Sequence, residues 1–329
     1  MRILLAILLG LPATLGVRPS PPASETSFCV YWTRGVETKS RLEAAGVKSV
    51  CVPAEQLEAW RGSGIEARAI PAAELTSREA LGTPGIAARA GVASPTRAPW
   101  IVANGWQFMR NPAGKYVYDV PSGKAPLAAA EAFAYGADAV IKIDPADVEP
   151  VGALSAFLAS VPRVDLPPVA DLGVVDDGSA VTGEVMNLLV RRNLLFEIVK
   201  APSAKFTITV AVGSADYPAQ AASDPSAFAQ KIRQQLTDER RSLRIYGSEV
   251  VIARLTGAEA QRRLQLLNYG GRDIEGLRVR LRGRWSVTGT RVAGATQAAL
   301  TDVVAADGAT EFSIPRLATY AVIDLSAAK

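Results

Sequence analysis

In the last quarter of the chain, Leu277, Val279 and Leu281 alternate with Arg278, Arg280, Arg282 and Arg284. A period of two is that of a half-buried strand, one face in a core and one in water. Similar runs surround it at Glu249–Leu255, Arg263–Tyr269, Thr310–Ile314 and Tyr320–Leu325, separated by turn signals at Gly270-Gly271, Asp307-Gly308 and Pro315. Short strands at such spacing predict an antiparallel β-sandwich. A row of cations along one strand repels itself unless partnered, so Asp273, Glu275, Asp302 and Asp324 are the expected counter-charges. The arginine face would otherwise bind an acidic glycan, or protect a solvated edge strand.

The chain before this region alternates strands with helices. Phe28–Trp32, Val47–Val52, Ile65–Ile70, Trp100–Ala103, Tyr116–Val120 and Ala139–Ile143 read as strands. Thr38–Ala45, Ala54–Arg61, Ala72–Leu81, Pro126–Tyr135 and Val151–Ala159 read as helices, with Pro126 suited to a first turn and Gly136 to a helix end. Pro84–Ala98, rich in Gly, Pro, Ser and Thr, reads as a loop. Alternation of this kind implies parallel strands with crossover helices. A complete eight-stranded barrel takes about 250 residues. This segment is shorter, so a truncated β/α barrel or an open sheet is expected.

A second small α/β unit follows the linker Pro162–Pro168. It comprises strands at Val169–Val175, Leu195–Val199 and Phe206–Val212 and helices at Gly183–Arg192 and Pro225–Leu236. The 329 residues, 49% of them hydrophobic, suffice for such separate cores. The domain reading is therefore a leader over 1–23, a truncated barrel over 24–161, an α/β domain over 162–242 and a sandwich over 243–329.

The N-terminus reads as an export signal. Met1-Arg2 precede an apolar run from Ile3 to Leu11 and then Pro12, Ala13, Thr14, Leu15 and Gly16, with cleavage expected near Gly16 or Ala23. The alternative is an uncleaved anchor. No later stretch is long and apolar enough to span a bilayer, so no stable span is expected after cleavage. The expected location is secreted or periplasmic. That setting permits a disulfide between Cys29 and Cys51, and two buried thiols are the other reading. A net charge of +4 is compatible with nucleic acid, but export and the lack of a recognition motif argue against it.

The chain has no histidine. This excludes Ser-His-Asp and Cys-His catalysis and every histidine-containing metal site, and two cysteines are too few for a thiolate zinc cage. No metal and no cofactor is expected. Carboxylates, Tyr, Lys and Arg, or a hard metal held by oxygen ligands, remain for chemistry.

The order of the parts resembles the β-galactosidase-type glycoside hydrolases. The segments that carry the resemblance are 129–140 (AAEAFAYGADAV), 170–177 (ADLGVVDD), 266–270 (LLNYG) and 319–325 (TYAVIDL). The first looks like the helix and last strand closing a catalytic barrel, the second like the first strand of an amidotransferase-like domain. The last two look like the terminal sandwich. In that family the acid/base and nucleophile glutamates lie at the ends of middle and late barrel strands. No Asn-Glu pair is found here and the middle strands are missing, so no catalytic residue is carried over. The resemblance implies carbohydrate-related biology together with loss of hydrolysis.

Functional groups in such sheets gather at the carboxyl ends of strands. That rule selects Trp32, Arg34, Asn104, Trp106, Lys142 and Asp176 for substrate binding. The two tryptophans would stack on a sugar, or else belong to the core. Asp119, Glu131 and Asp144 are the candidate catalytic carboxylates, since glycoside hydrolysis needs two of them about 5 to 10 Å apart. Burial of Glu131 would raise its pKa as an acid catalyst requires; the other reading is a structural hydrogen bond, or an ion pair with Lys124 or Lys142. Asp176-Asp177-Gly178-Ser179 reads as helix capping, or as an acidic site for a hard metal or phosphate-linked ligand. The leading expectation is a carbohydrate-interacting protein without hydrolytic activity. A protein-interaction scaffold and an active glycosidase using a carboxylate pair are the alternatives. The oligomeric state is left open.

Overall fold

The computed structural model describes residues 28–87, 100–296 and 298–328. The leader and signal segment, and most of the Pro84–Ala98 loop, lie outside the described residues.

The N-terminal unit runs β1 (Phe28–Tyr31), α1 (Lys39–Ala44), β2 (Ser49–Pro53), α2 (Leu57–Trp60), β3 (Glu66–Ile70), α3 (Ala72–Ser77) and β4 (Glu79–Leu81). It continues through the short pair β5 (Gly85–Ile86) and β6 (Ile101–Val102), α4 (Gly105–Arg110), β7 (Lys115–Asp119), α5 (Ala125–Tyr135), β8 (Asp138–Lys142) and α6 (Val148–Ser160). Six strands form one parallel sheet in the order β3-β2-β1-β8-β7-β4. The first strand thus lies beside the last, with Phe28 to Tyr31 in register with Ala139 to Lys142. That pairing is the one by which a β/α barrel closes, but here β3 and β4 remain edges of the sheet. Between β3 and β4, where further barrel strands would complete the circuit, only Pro71–Arg78 is found. The unit is a partial barrel.

Alternation divides the strands between two faces. Val50, Val52, Tyr116, Tyr118, Ala139 and Ile141 are buried against the surrounding helices. Cys29, Cys51, Val117 and Val140 face inward, with Leu75 of α3 packed on them. Cys29 and Cys51 are joined as a disulfide across β1 and β2. Gly136 ends α5 in the left-handed conformation at φ 67°, which a glycine adopts without a Cβ clash. At Gly152 of α6 a Cβ would fall 1.9 Å from the Ala45 carbonyl oxygen, so close packing after α1 requires a glycine there.

Ala72–Leu81 is not one helix as expected. Ser77 Oγ donates to the Glu74 carbonyl in the last turn of α3. Arg78 is extended and buried, its guanidinium paired with Glu74 and Asp138. The next three residues then pair with Tyr116–Tyr118 as β4. Ladder bonds and a buried ion-pair anchor outweigh the local helical preference.

The middle unit contains β9 (Leu172–Val175), α7 (Ala180–Arg191), β10 (Phe196–Val199), β11 (Thr209–Val210) and α8 (Pro225–Leu236), with a parallel sheet ordered β10-β9-β11. The chain then forms β12 (Leu243–Tyr246), β13 (Val251–Gly257), β14 (Gln261–Asn268), β15 (Ile274–Arg282), β16 (Trp285–Val292), β17 (Thr301–Ala306), β18 (Ala309–Leu317) and β19 (Tyr320–Ala327). Two antiparallel sheets, β12-β15-β18-β17 and β13-β14-β19-β16, make the sandwich. Leu277, Val279 and Leu281 are buried in its core with Phe312 and Ile323. The acidic partners differ from those expected: Arg278 and Arg280 share Glu311, which lies opposite Arg280 on β18. Asp273 instead pairs with Arg316, and Asp324 with Arg263 and Arg291. Cross-strand register, invisible in local sequence, decides the pairing.

The units are welded. Asn193, at φ 51°, accepts from the Ala253 N–H at 2.7 Å and donates to the Val251 carbonyl at 2.9 Å, satisfying edge strand β13. Val169 N–H donates to the Leu255 carbonyl, and Gly257 N–H to that of Pro167, so the linker covers the same edge. One apolar core runs from Phe28 in the first unit through Val185 in the second to Val322 in the third.

Candidate functional site

The carboxyl ends of β1, β2, β7 and β8 bring several polar side chains to one rim. Register places Tyr31 of β1 and Asp119 of β7 on either side of Lys142 of β8. Lys142 Nζ lies 3.2 Å from Asp119 Oδ2, and the Asp119 side chain is 79% exposed. Arg34, in the loop after β1, is exposed. Tyr31 is half-buried, and burial together with the nearby Glu55 carboxylate raises its phenol pKa. Asp144 follows β8 but accepts from Ala146 N–H at 2.8 Å, capping the turn before α6. Tyr31 was not singled out from the sequence, although the same strand-end rule that selected Trp32 reaches it one residue earlier.

Trp32 points to the other face of the sheet. It is 2% exposed, packs with Leu42 and Trp60, and donates its indole N–H to Thr38 Oγ1 at 2.9 Å. Its ring belongs to the core under α1 and α2 and presents no face to a sugar.

Glu131 and Asn104 form a second cluster, sealed on the helical side of the sheet. Glu131 is fully buried and accepts four hydrogen bonds. Oε1 takes the Asn104 N–H at 2.6 Å and the Tyr269 hydroxyl at 2.5 Å; Oε2 takes the Asn104 amide at 2.9 Å and the Tyr118 hydroxyl at 2.6 Å. Burial raises the Glu131 pKa, and the four donors act in the opposite direction. Neither Lys124 nor Lys142 is its partner. Lys142 is held by Asp119, and the donors come from Asn104 just before α4, from β7 and from the sandwich. Tyr118 and Tyr269 were not anticipated: Tyr118 reads as a strand residue, and Tyr269 lies 138 positions from Glu131.

Trp106 and Asp176 meet at the junction of the first and middle units. Trp106 is half-buried on α4, and a Cβ at Gly183 of α7 would come within 2.9 Å of its ring. Arg110 makes two bonds to Asp176, at 2.9 and 2.7 Å, which hold that carboxyl below the usual carboxylate range. Asp176 also accepts from Gly178 N–H, Asp177 from Ser179 N–H, and Ser179 Oγ from Thr182 N–H at the start of α7. The acidic run therefore does capping work and anchors one unit to the other. Among the described residues, no group of three or more His, Cys, Asp or Glu side chains gathers to hold a metal.

Asp119, Lys142, Tyr31 and Arg34 thus belong to the rim, with Asp144 beside it. Trp32, Asn104, Glu131, Trp106 and Asp176 lie elsewhere. The candidate carboxylate with a raised pKa is the sealed one. An exposed Asp–Lys pair, a phenol and a guanidinium offer hydrogen bonds and charge of both signs.

No family model matches the chain, and no curated protein does. Among solved structures it is similar to α-L-fucosidase isoenzyme 2 from Paenibacillus thiaminolyticus, at 10% identity over 84% of this chain and 70% of that one, with a TM-score of 0.49. It is also similar to a β-galactosidase from Rahnella sp. R3, at 8% identity over 84% of this chain and 63% of that one, TM-score 0.38. A β-galactosidase from Bacillus circulans sp. alkalophilus matches at 9% identity over 85% of this chain and 63% of that one, TM-score 0.35. The chain thus spans less than two thirds of either galactosidase. The likeness is weak and glycoside-hydrolase-like, and concerns the fold.

Proposed function

We propose that the protein is an exported carbohydrate-interacting protein on a glycoside-hydrolase-like frame, binding its ligand at the rim without cleaving it. The observation that carries this reading is the rim itself: Tyr31, Arg34, Asp119 and Lys142 at the carboxyl ends of adjacent parallel strands. Sugar hydroxyls suit mixed donors and acceptors, and a half-buried phenol supplies an apolar face. Cleavage would need an acid of raised pKa in contact with the glycosidic oxygen, and a second carboxylate across the bond. Glu131 is sealed away, Asp119 is neutralised by Lys142, and Asp144 caps a turn. We read the middle unit as a counterpart of the amidotransferase-like domain. Export is supported by the Met1–Gly16 pattern and by the Cys29–Cys51 disulfide, which suits an oxidising compartment.

A glycan-array screen of the protein lacking residues 1–23, followed by calorimetry and product analysis on each bound glycan, tests the reading. Saturable binding with the glycan recovered intact is expected. Release of shorter sugars would establish a glycosidase. Failure of every glycan to bind would replace the carbohydrate reading with a protein-interaction scaffold.

A further inference from the structure

A cavity of about 310 Å³ lies where the three units meet. Met109 and Tyr135 come from the first unit, Val169 from the linker, Leu195 from the middle unit, and Ala253 and Arg254 from β13. It sits on the helix-covered side of the parallel sheet, away from the rim, and the binding proposed above makes no use of it.

Its walls are mostly apolar, with one unusual group. Arg254 donates through Nη1 to the Ala134 carbonyl, and its guanidinium carbon lies 5.1 Å from the Tyr135 ring centroid. Three other withdrawn arginines hold carboxylates, Arg78 with Glu74 and Asp138, Arg241 with Asp238 and Arg263 with Asp324, while Arg192 is held by the Ser226 hydroxyl. Arg254 has no carboxylate partner among the described residues. Its Nε and Nη2, and the Tyr135 hydroxyl, make no hydrogen bond among the described residues. A cation withdrawn from water without a counter-charge is costly, and a carbonyl and a ring face offset that cost only in part. The carboxylate among the lining residues, Glu197, is held by Lys205 and does not serve Arg254.

We propose that this cavity binds a small organic monocarboxylate. Its apolar body lies against Met109, Val169 and Leu195, and its carboxylate is taken by Arg254 with the Tyr135 hydroxyl as a further donor. A planar guanidinium matches a carboxylate, and the apolar walls disfavour a hydroxyl-rich ligand, whose groups would lose water without partners. The volume is at the small end of ligand pockets, which run from about 300 to 1,000 Å³, so a body of medium-chain size fits.

Octanoate and 1-octanol are suitable probes, alike in body and different in charge. Titrated into the wild-type protein, octanoate is expected to bind one per chain, about tenfold or more tighter than octanol, the margin of a charge-assisted contact. Methyl resonances of Val169, Val190, Leu195 and Leu255 should shift. Arg254→Met should erase the preference for octanoate while leaving octanol binding in place. Met109→Trp, which puts a larger side chain at a lining position and keeps the guanidinium, should weaken both. If Arg254→Met fails to fold, the wild-type comparison decides alone: equal affinity for the two probes, no binding of octanoate, or shifts confined to other methyls would overturn the proposal.

Discussion

Tyr269 Oη donates a 2.5 Å hydrogen bond to Glu131 Oε1, tying the sandwich to the middle of α5 in the partial barrel. The carboxylate needs no cation, because Asn104 and Tyr118 supply three further donors. Tyr269→Phe keeps the ring and removes one donor from a buried, charge-bearing acceptor. Urea unfolding should show a loss of about 1.5–3 kcal/mol, the scale of hydrogen bonds to charged groups. A loss within error of zero would mean that the contact between the two units adds nothing net.

Glu131 also sets a pH dependence. Its pKa is raised above the ordinary 4.5, burial outweighing the four donors. The folded protein then holds that proton more tightly than the unfolded chain does. The contribution is full below the unfolded pKa and is lost as pH rises through the folded value. The stability of wild type relative to Glu131→Gln should therefore be greatest below about pH 4.5 and should decline above it. Denaturant melts of both proteins across a pH series measure that gap. A gap that widens with pH would mean that the donors, and not burial, dominate.

These two residues mark how far the sequence could be read. Alternation located Leu277, Val279 and Leu281, and the Pro126–Gly136 pattern located α5, because both signals repeat within a few residues. β17 is exposed along its whole length and β16 is largely polar, so neither carries an apolar period to detect. β4 is three residues long and exists through its ladder with β7, which no local pattern announces. Burial of Glu131 was one of the readings its Ala-rich helix allowed. Its partners were not legible, since Tyr269 reaches it from the other end of the chain. Strand-end reasoning selected Arg34 and Lys142, which stand at the rim, but also Trp32, because the rule fixes the end of a strand and leaves the face to register.

Register gives a direct stability test in the sandwich. Val279 is fully buried, and Arg280 shares Glu311 with Arg278. Val279→Asp should cost more than about 3 kcal/mol, since an unpaired charge enters an apolar core. Arg280→Gln should cost about 0.5 kcal/mol or less, because Arg278 still holds the carboxylate. Thermal unfolding of the two variants ranks them, and the reverse order would mean that β15 is offset by one residue.

The disulfide should be measurable through the unfolded state. Cys29 and Cys51 are 22 positions apart, and opening that loop restores chain entropy to the denatured ensemble. Replacing both by Ser should lower stability by about 3 kcal/mol. Wild type unfolded in the presence of a reductant should fall to the same value. An unchanged midpoint under reduction would show that the thiols are free in solution.

The rim and the α4–α7 junction make opposite predictions for two aromatic residues. Tyr31 stands at the strand ends beside Lys142, whereas Trp106 packs over Gly183 and next to the Arg110–Asp176 pair. If sugar is held at the rim, Tyr31→Ala should weaken binding of an array-identified glycan by about 1–3 kcal/mol, the scale of a central anchor. The fold should survive, because Tyr31 is only partly buried. Trp106→Ala should leave that affinity unchanged and instead lower stability by about 1–3 kcal/mol, since it opens a void between two packed helices. Calorimetry and chemical unfolding on both variants separate the two effects. Should Trp106→Ala abolish binding while Tyr31→Ala spares it, the sugar face lies at the α4–α7 junction, and the rim loses its role.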